Sequence, residues 1–284
     1  MHLLYLAITI IGLTCTGFLS KLAQRKKISA LDFTTSMFTS SSLIGLFFLF
    51  AAAKNISFSF SGNVILLSLL AGIGGSIAFY LFNYSLRIGH YGFSYAIYRN
   101  SFIVPIAFSV IFLNDPVKSS DWMGISLIVI AMFLVSYSKN YNFKKDKYPV
   151  WLIIVFSSLI LSGMPRIAQK MVSLLKENSF SYLFLSYLAG TVLLIGLNAA
   201  KKSFNKLAIP YGILAGIASY LGVYFTIKSL DLLPVKIVFP VTLSSPIIIT
   251  ILLSSVFFKE KLKIPGFAGI LLGIAGIVLL YLLK

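Results

Sequence analysis

Two arginines lie inside long apolar stretches of the 284-residue chain. Arg99 lies in the fourth stretch, shortly after two tyrosines, and Arg166 lies in the sixth, directly after Pro165. A guanidinium group stays protonated in proteins and matches the geometry of a carboxylate or a phosphate. Because ionisable groups inside a membrane span are costly, we predict that both arginines bind the anionic part of a solute.

A structural role is the alternative for each arginine. Either side chain would then cap free carbonyl groups at a nearby kink or extend to the membrane interface. Pro165 favours the capping role for Arg166, because a proline leaves a carbonyl one turn earlier without its usual partner. The sequence leaves both roles open.

The acidic residues lie away from the two arginines. All seven occur at predicted helix ends or in connections, namely Asp32, Asp115, Asp121, Asp146, Glu177, Asp231 and Glu260. No carboxylate is therefore expected near the middle of the membrane, where it would bind a cationic drug or carry a proton. This pattern argues against a multidrug-cation antiporter and indicates that the solute supplies the negative charge.

Further polar residues lie at positions that suit the wall of a cavity. Besides the two arginines, the predicted substrate-binding residues are Tyr80, Asn83, Tyr95, Asn100, Tyr220, Tyr224, Ser244 and Ser245. An amide in hydrocarbon needs hydrogen-bond partners, so Asn83 is expected to face protein or water. Tyrosines near helix ends also form the aromatic belts of membrane interfaces, which is the alternative for Tyr80 and Tyr224.

Four prolines are predicted to break helices near these polar residues. They are Pro105 in the fourth stretch, Pro165 in the sixth, and Pro240 and Pro246 in the ninth. Backbone carbonyls freed by a proline are tolerated at membrane depth where they line a polar cavity. The broken helices are therefore expected to flank the binding site.

The composition places these residues in a membrane protein. Mean hydropathy is +0.96, and only 11% of the residues are charged, whereas soluble domains carry about 25%. Stretches of roughly 18 to 23 apolar residues are long enough to cross a bilayer as helices. We predict an all-α integral membrane protein with ten transmembrane helices, near residues 3–20, 33–53, 64–86, 93–113, 121–138, 150–172, 179–200, 207–229, 235–257 and 265–283.

The ten stretches form two sets of five with matching features in the same order. Asp115 before the fifth helix corresponds to Glu260 before the tenth, and Pro105 corresponds to Pro246. Because five is odd, the second set must be inverted relative to the first, which is the signature of an inverted-repeat transporter. We predict a first five-helix repeat at residues 1–138, a linker at 139–149 and a second repeat at 150–284.

Glycines recur at a spacing that lets membrane helices pack closely. Gly212 and Gly216 are four residues apart, as are Gly269 and Gly273. Small residues at this spacing allow backbones to approach each other in lipid. We therefore assign these glycines to helix packing, and the chain contains no GxxxxGK[ST] nucleotide-binding loop.

The net charge of +17 reflects basic residues placed between the apolar stretches. Fifteen of the 24 lysines and arginines lie in odd-numbered connections, around residues 21–27, 87, 139–147, 201–206 and 259–263. By the positive-inside rule, these connections face the cytoplasm of a multi-pass protein of the cell membrane. Because the basic residues form no aromatic-basic module, no nucleic-acid partner is expected. The expected partners are a small-molecule substrate and the lipid bilayer.

The sequence has few residues that bind metals or act as nucleophiles. Cys15 is the single cysteine, and His2 and His90 are far apart. We therefore predict no metal site, no cofactor and no enzymatic activity.

Motifs before the fifth and tenth helices resemble the EamA branch of the drug/metabolite transporter superfamily. Residues 112–115 (FLND) precede 124–127 (GISL), and residues 258–260 (FKE) precede 269–273 (GILLG). Asp115 stands where the family usually has glutamate, and Pro116 follows it. The resemblance implies secondary transport of small metabolites through a central cavity lined by both halves.

These observations together predict a secondary transporter for a small organic metabolite that works by alternating access. An amino acid or another carboxylate-bearing solute is the favoured substrate. The alternative is a carrier of neutral or phosphorylated solutes such as sugars or nucleosides. A membrane enzyme or a non-transporting scaffold is less favoured, because no cluster of acids, histidines or nucleophiles is evident. The sequence does not distinguish a monomer from a homodimer.

Overall fold

The structure is a computed structural model that describes residues 1–52, 60–89, 91–137, 148–200, 204–258 and 264–282. The predicted linker at 139–149 lies mostly outside these residues, as does Glu260. The helices are α1 (His2–Arg25), α2 (Ala30–Ala52), α3 (Gly62–Ile88), α4 (Tyr91–Arg99), α5 (Ile103–Phe112), α6 (Ser119–Tyr137), α7 (Tyr148–Leu174), α8 (Ser179–Ala199), α9 (Ala208–Leu230), α10 (Val235–Phe258) and α11 (Ile264–Leu282).

These helices form ten membrane spans, because α4 and α5 together make the fourth. Seven spans are long and apolar enough to cross a membrane on length and composition, and α6, α10 and α11 contain three further apolar segments. Side chains fix several helix starts. The Asn178 side-chain oxygen, for example, accepts hydrogen bonds from the backbone N–H groups of Phe180 and Ser181 at the start of α8. The predicted fold of two inverted five-helix repeats is confirmed.

Helices of the two halves pack mainly against one another, in equivalent pairs. α1 packs along α9 and α3 packs along α7, which pairs the first span with the eighth and the third with the sixth. α2 packs along α8 and α6 packs along α11, which pairs the second span with the seventh and the fifth with the tenth. Exchanging the halves leaves this pattern unchanged, as a pseudo-twofold relation between inverted repeats requires.

Glycines bring some of these pairs into backbone contact. A Cβ atom added to Gly216 on α9 would lie 2.7 Å from Ser40 Cβ on α2. One added to Gly269 on α11 would lie 2.7 Å from the backbone nitrogen of Val135 on α6. The predicted packing role of these glycines is confirmed, since neither site has room for a side chain.

The four predicted helix breaks differ from one another. The fourth span changes to a 3-10 turn at Asn100–Phe102, shortly before Pro105. In contrast, α7 continues through Pro165, and α10 continues through Pro240 and Pro246. A membrane helix tolerates an internal proline where side chains and small backbone adjustments satisfy the freed carbonyls. Of the four positions, only Pro105 lies beside a change of secondary structure.

Acidic residues of the first half pair with lysines of the second half at one end of the bundle. Lys236 Nζ on α10 lies 2.7 Å from Asp121 Oδ2 on α6. Lys170 Nζ on α7 lies 3.5 Å from Asp115 Oδ2. The Asp121 carboxylate also accepts a hydrogen bond from the backbone N–H of Lys118, which stabilises the first turn of α6. Both ion pairs join the halves at the face that carries the even-numbered connections.

Candidate functional site

A central cavity lies between the two halves and takes its walls equally from both. Its lining comes from α1, α2, α3 and α4 in the first half and from α7, α8, α9 and α10 in the second. The empty space within it, including the part that opens outward, measures about 880 Å³. α6 and α11 contribute no lining residue and pack against each other instead. The cavity is therefore positioned by four spans of each repeat.

Arg99, the last residue of α4, lines this cavity while only 4% of its surface is exposed. Its Nη2 donates to the Leu13 carbonyl of α1 at 3.0 Å and to the Tyr95 hydroxyl at 3.1 Å. Its Nε has no hydrogen-bond partner among the described residues. The guanidinium is thus held at one Nη and keeps donor capacity for a ligand.

Arg166 lines the same cavity from α7 and is also buried. Its Nη1 donates to the carbonyl of Ser162, one turn earlier in the same helix. Its guanidinium carbon lies 5.8 Å from the centroid of the Tyr98 ring. Arg166 therefore has a capping contact in the turn that holds Pro165, and its remaining N–H groups are additional donors.

Hydroxyl groups on the cavity wall donate to their own helices. Thr226, Thr242 and Ser186 each donate to the carbonyl four residues earlier, at 2.7 or 2.8 Å. A hydroxyl that donates to backbone keeps its lone pairs as acceptors. The wall therefore offers acceptors to an amino or hydroxyl group of a solute, while donors for an anion come from the arginines and from Gln169.

Aromatic side chains form much of the remaining wall. Tyr98 stacks on Phe82 with ring centroids 4.3 Å apart, which fixes the ring that faces Arg166. The hydroxyls of Tyr187 and Ser219 lie 2.8 Å apart and share a hydrogen bond across α8 and α9. Tyr182 belongs to the same wall. A solute in this cavity would contact both flat apolar surfaces and a few polar groups, as is typical of small-molecule sites.

The sequence was compared with models of known protein families. The model of the EamA-like transporter family matches residues 1–137 and again residues 149–282. The chain belongs to this family. As a member, it is a multi-pass membrane protein that transports small solutes, and the family consists of transporters rather than enzymes.

The fold of this EamA-like protein also occurs in a solved crystal structure. The two chains share 14% sequence identity, the match covers 98% of this chain and 99% of the other, and the TM-score is 0.74. At this identity the likeness concerns the fold alone. No match was found among curated proteins.

Two further predicted residues of the EamA-like protein lie beside Arg99. The Tyr95 hydroxyl accepts its hydrogen bond, and the guanidinium carbon lies 5.1 Å from the centroid of the Tyr95 ring. The Asn100 amide donates to the Ala96 carbonyl at 2.9 Å, and its Oδ1 has no partner among the described residues. The structure thus brings Tyr95, Asn100 and Arg99 together at the junction of α4 with the 3-10 turn. Tyr95 and Asn100 contact or adjoin Arg99 but are not themselves among the residues that line the central cavity.

The remaining predicted residues are not among those that line the central cavity either. Asn83 donates to the carbonyl of Phe79 at 2.9 Å, and Tyr80 packs beside Tyr84. Ser244 lines a separate small cavity between α6, α10 and α11, and Ser245 next to it is half-buried. Their role in substrate binding stays a prediction.

The two predicted tyrosines of α9 pack against aromatic rings. Tyr220 stacks on Phe48 with ring centroids 5.5 Å apart, and Tyr224 stacks on Phe180 at 5.1 Å. Neither lines the central cavity. Both rings instead tie α9 to α2 and α8.

Sequence reasoning missed several residues of the cavity wall. They are Tyr98, Gln169, Tyr182, Tyr187 and Ser219. Position along the helix would have indicated Gln169, because it follows Arg166 by three residues on the same helix face. Tyr98 directly precedes Arg99, and residues next to each other in a helix do not share a face. The other three have no charged neighbour in sequence, so nothing distinguished them from packing or interfacial residues.

Among the described residues, no group of three or more histidine, cysteine or acidic side chains is placed to hold a metal ion. The polar chemistry of the central cavity therefore resides in guanidinium, amide and hydroxyl groups.

Proposed function

We propose that the protein is a secondary transporter of a small organic solute that carries a carboxylate, an amino acid being the favoured case. The observation that supports this most directly is Arg99, a buried guanidinium on the wall of the central cavity. No acidic residue is among the described residues that line the cavity. A charge in this position needs a partner, and a carboxylate of the solute would be that partner.

We assign a role to each part of the cavity wall on the basis of its contacts. Arg99 binds the carboxylate, and Tyr95 positions Arg99 through the hydroxyl contact. The acceptor oxygens of Thr226, Thr242 and Ser186 suit an ammonium or hydroxyl group on the same solute. Such a division between a cationic and an acceptor side fits a zwitterionic amino acid.

The placement of the cavity between two inverted halves supports movement by alternating access. Rocking of one half against the other would expose the same site first to one face and then to the other. The 3-10 turn at Asn100–Phe102 lies next to Arg99 and is a position where the fourth span can bend. Binding of the solute would thereby be linked to the shape of this span.

A transport assay on a variant of Arg99 tests the assignment. In liposomes that contain the purified protein, Arg99→Ala is expected to abolish uptake of a carboxylate substrate found by screening amino acids. The folded variant should remain in the membrane at a normal level. Arg87→Ala removes an exposed arginine outside the cavity and serves as the control. Normal transport by Arg99→Ala would refute the assignment.

A carrier of neutral or phosphorylated solutes is the second candidate, because hydroxyl and aromatic groups line much of the cavity. A neutral sugar or nucleoside would use these groups and would leave Arg99 without a counter-charge, which makes a neutral solute the weaker proposal. A phosphorylated solute would pair with Arg99 through its phosphate. Competition between such compounds and an amino acid for the same uptake separates the two candidates.

We also propose the cell membrane as the location, with the odd-numbered connections in the cytoplasm. The support is the excess of lysine and arginine in these connections. The proposed partners are the solute and the lipid bilayer, with no nucleic acid.

A further inference from the structure

We infer that the solute carries two anionic groups and that Arg166 binds the second of them. This inference rests on the proposed function, because it assumes that the central cavity is the transport site. It adds a specificity that a single carboxylate does not provide, namely preference for a dicarboxylate or a phosphorylated carboxylate over the matching compound with one anionic group.

The first support is the charge of the cavity. Arg99 and Arg166 line it from opposite halves, and both are buried. Their positive charges interact with each other unfavourably. Among the described lining residues there is no carboxylate to offset them. One carboxylate of a solute would therefore leave one buried positive charge uncompensated, which is energetically costly, whereas two anionic groups would balance both.

The second support is the set of donors that the protein leaves available. Each guanidinium has five N–H donors. The described contacts use Nη2 of Arg99 and Nη1 of Arg166, and Arg166 also interacts with the Tyr98 side chain through a hydrogen bond. Gln169 lies three residues after Arg166 and lines the same cavity. Two separate donor groups, one on α4 and one on α7, therefore face a solute between them.

The capping contact of Arg166 does not replace an anion. The Ser162 carbonyl is neutral, and so is the Tyr98 ring, although both interact favourably with the guanidinium. These contacts orient the side chain and leave its net charge unbalanced. A neutral partner holds the guanidinium in place and does not balance a second buried charge.

Paired probes that differ in one anionic group test the inference. Thermal stabilisation of the purified protein in detergent is measured with glutamate against glutamine, with succinate against butyrate, and with phosphoglycerate against glycerate. We expect one of the doubly anionic probes to bind at least about tenfold more tightly than its partner, the usual range for a hydrogen-bonded charge. The pair that shows the difference identifies the anionic group as carboxylate or phosphate.

Variants then assign the preference to one side chain. Arg166→Gln should reduce the preference to nearly none while binding of the singly anionic probe persists. Arg166→Lys should retain part of it. Lys176→Gln removes the same charge from an exposed position outside the cavity and should leave the preference unchanged.

The outcomes separate this inference from the proposed function. Equal binding of glutamate and glutamine, together with equal binding in the other pairs, would overturn the two-anion inference and leave carboxylate transport intact. A preference that survives Arg166→Gln would overturn the role of Arg166. Failure of every anionic probe to bind would contradict the proposed function itself. If Arg166→Gln does not fold, the wild-type comparison and Arg166→Lys still decide the matter.

Discussion

At the scale of single residues, the energetic cost of burying the Asp121 carboxylate depends on its ion-pair partner. Its side chain is 1% exposed, and Lys236 from the other half lies 2.7 Å away. Removing one partner of a buried ion pair leaves an uncompensated charge, which is typically more damaging than removing both. The exposed pair between Lys228 and Asp231 at the same end of the bundle lacks this sensitivity, because water screens it.

Substitution of Lys236 tests this dependence. Lys236→Met is expected to destabilise the folded protein by about 3–5 kcal/mol, because Asp121 stays buried without a counter-charge. The double variant Asp121→Asn with Lys236→Met should recover part of this loss. Lys228→Met serves as the control and should cost roughly 0–1 kcal/mol. Unfolding in detergent of the single and double variants measures the coupling, and an additive result would show that the pair contributes nothing.

At the scale of helices, the contact between α2 and α9 connects packing with the binding site. Gly216 allows the backbones to meet, and residues on both helices also line the central cavity, namely Met37 and Phe38 on α2 and Ser219 and Val223 on α9. A shift between these two helices would therefore move two walls of the cavity.

Enlarging Gly216 tests this connection. Gly216→Ala should destabilise the protein by about 1–3 kcal/mol, because the added Cβ overlaps Ser40 and the helices must separate. Gly196→Ala on α8 is the matched control, since a Cβ there meets nothing within 4 Å. Better helix propensity should make the control neutral or slightly stabilising. Thermal unfolding in detergent compares the two variants, and equal stability would contradict the packing argument.

At the scale of the whole molecule, the packing of the inverted halves does not determine the orientation of the protein in the membrane. Symmetry of packing does not indicate which face meets the cytoplasm, because each half presents the pattern of the other upside down. The feature that indicates the orientation is the distribution of charge, with its excess of lysine and arginine in the odd-numbered connections. The ion pairs that join the halves lie on the opposite face.

Labelling of single cysteines determines the orientation. Cys15 is replaced by alanine, and a cysteine is introduced at Lys26 in the first connection or at Leu232 in the eighth, both of which are exposed. A membrane-impermeant thiol reagent applied to intact cells should label Leu232→Cys and spare Lys26→Cys, because odd-numbered connections are expected inside. The reverse pattern would show that the protein is inserted the other way up. Permeabilised cells, in which both positions react, provide the control.

The architecture was largely predictable from the sequence because hydropathy reports directly on membrane spans. The third span was expected near residues 64–86 and extends over Gly62–Ile88. The first was expected to end near residue 20 but continues to Arg25, whose side chain is exposed at the helix end. The change to a 3-10 turn before Pro105 carried no hydropathy signal.

Of the residues in the candidate site, only the charged ones could be predicted from the sequence. Arg99 and Arg166 stood out because ionisable residues are rare inside spans. Tyr182 and Tyr187 did not, since tyrosine is common in membrane helices and its position on a cavity wall depends on how α8 packs against its neighbours. Such positions follow from tertiary contacts, which one sequence does not reveal.

The two guanidinium groups of the central cavity also bear on how the carrier completes its cycle. In the proposed alternating-access cycle, an empty cavity that closes from one face and opens to the other would pass through a state that seals both positive charges from water. With an anion bound, the positive charges are neutralised while the cavity is sealed from both faces. The loaded protein should therefore turn over faster than the empty one. Solute on the far side of the membrane would then accelerate uptake, and the protein would work as an exchanger of one anion for another.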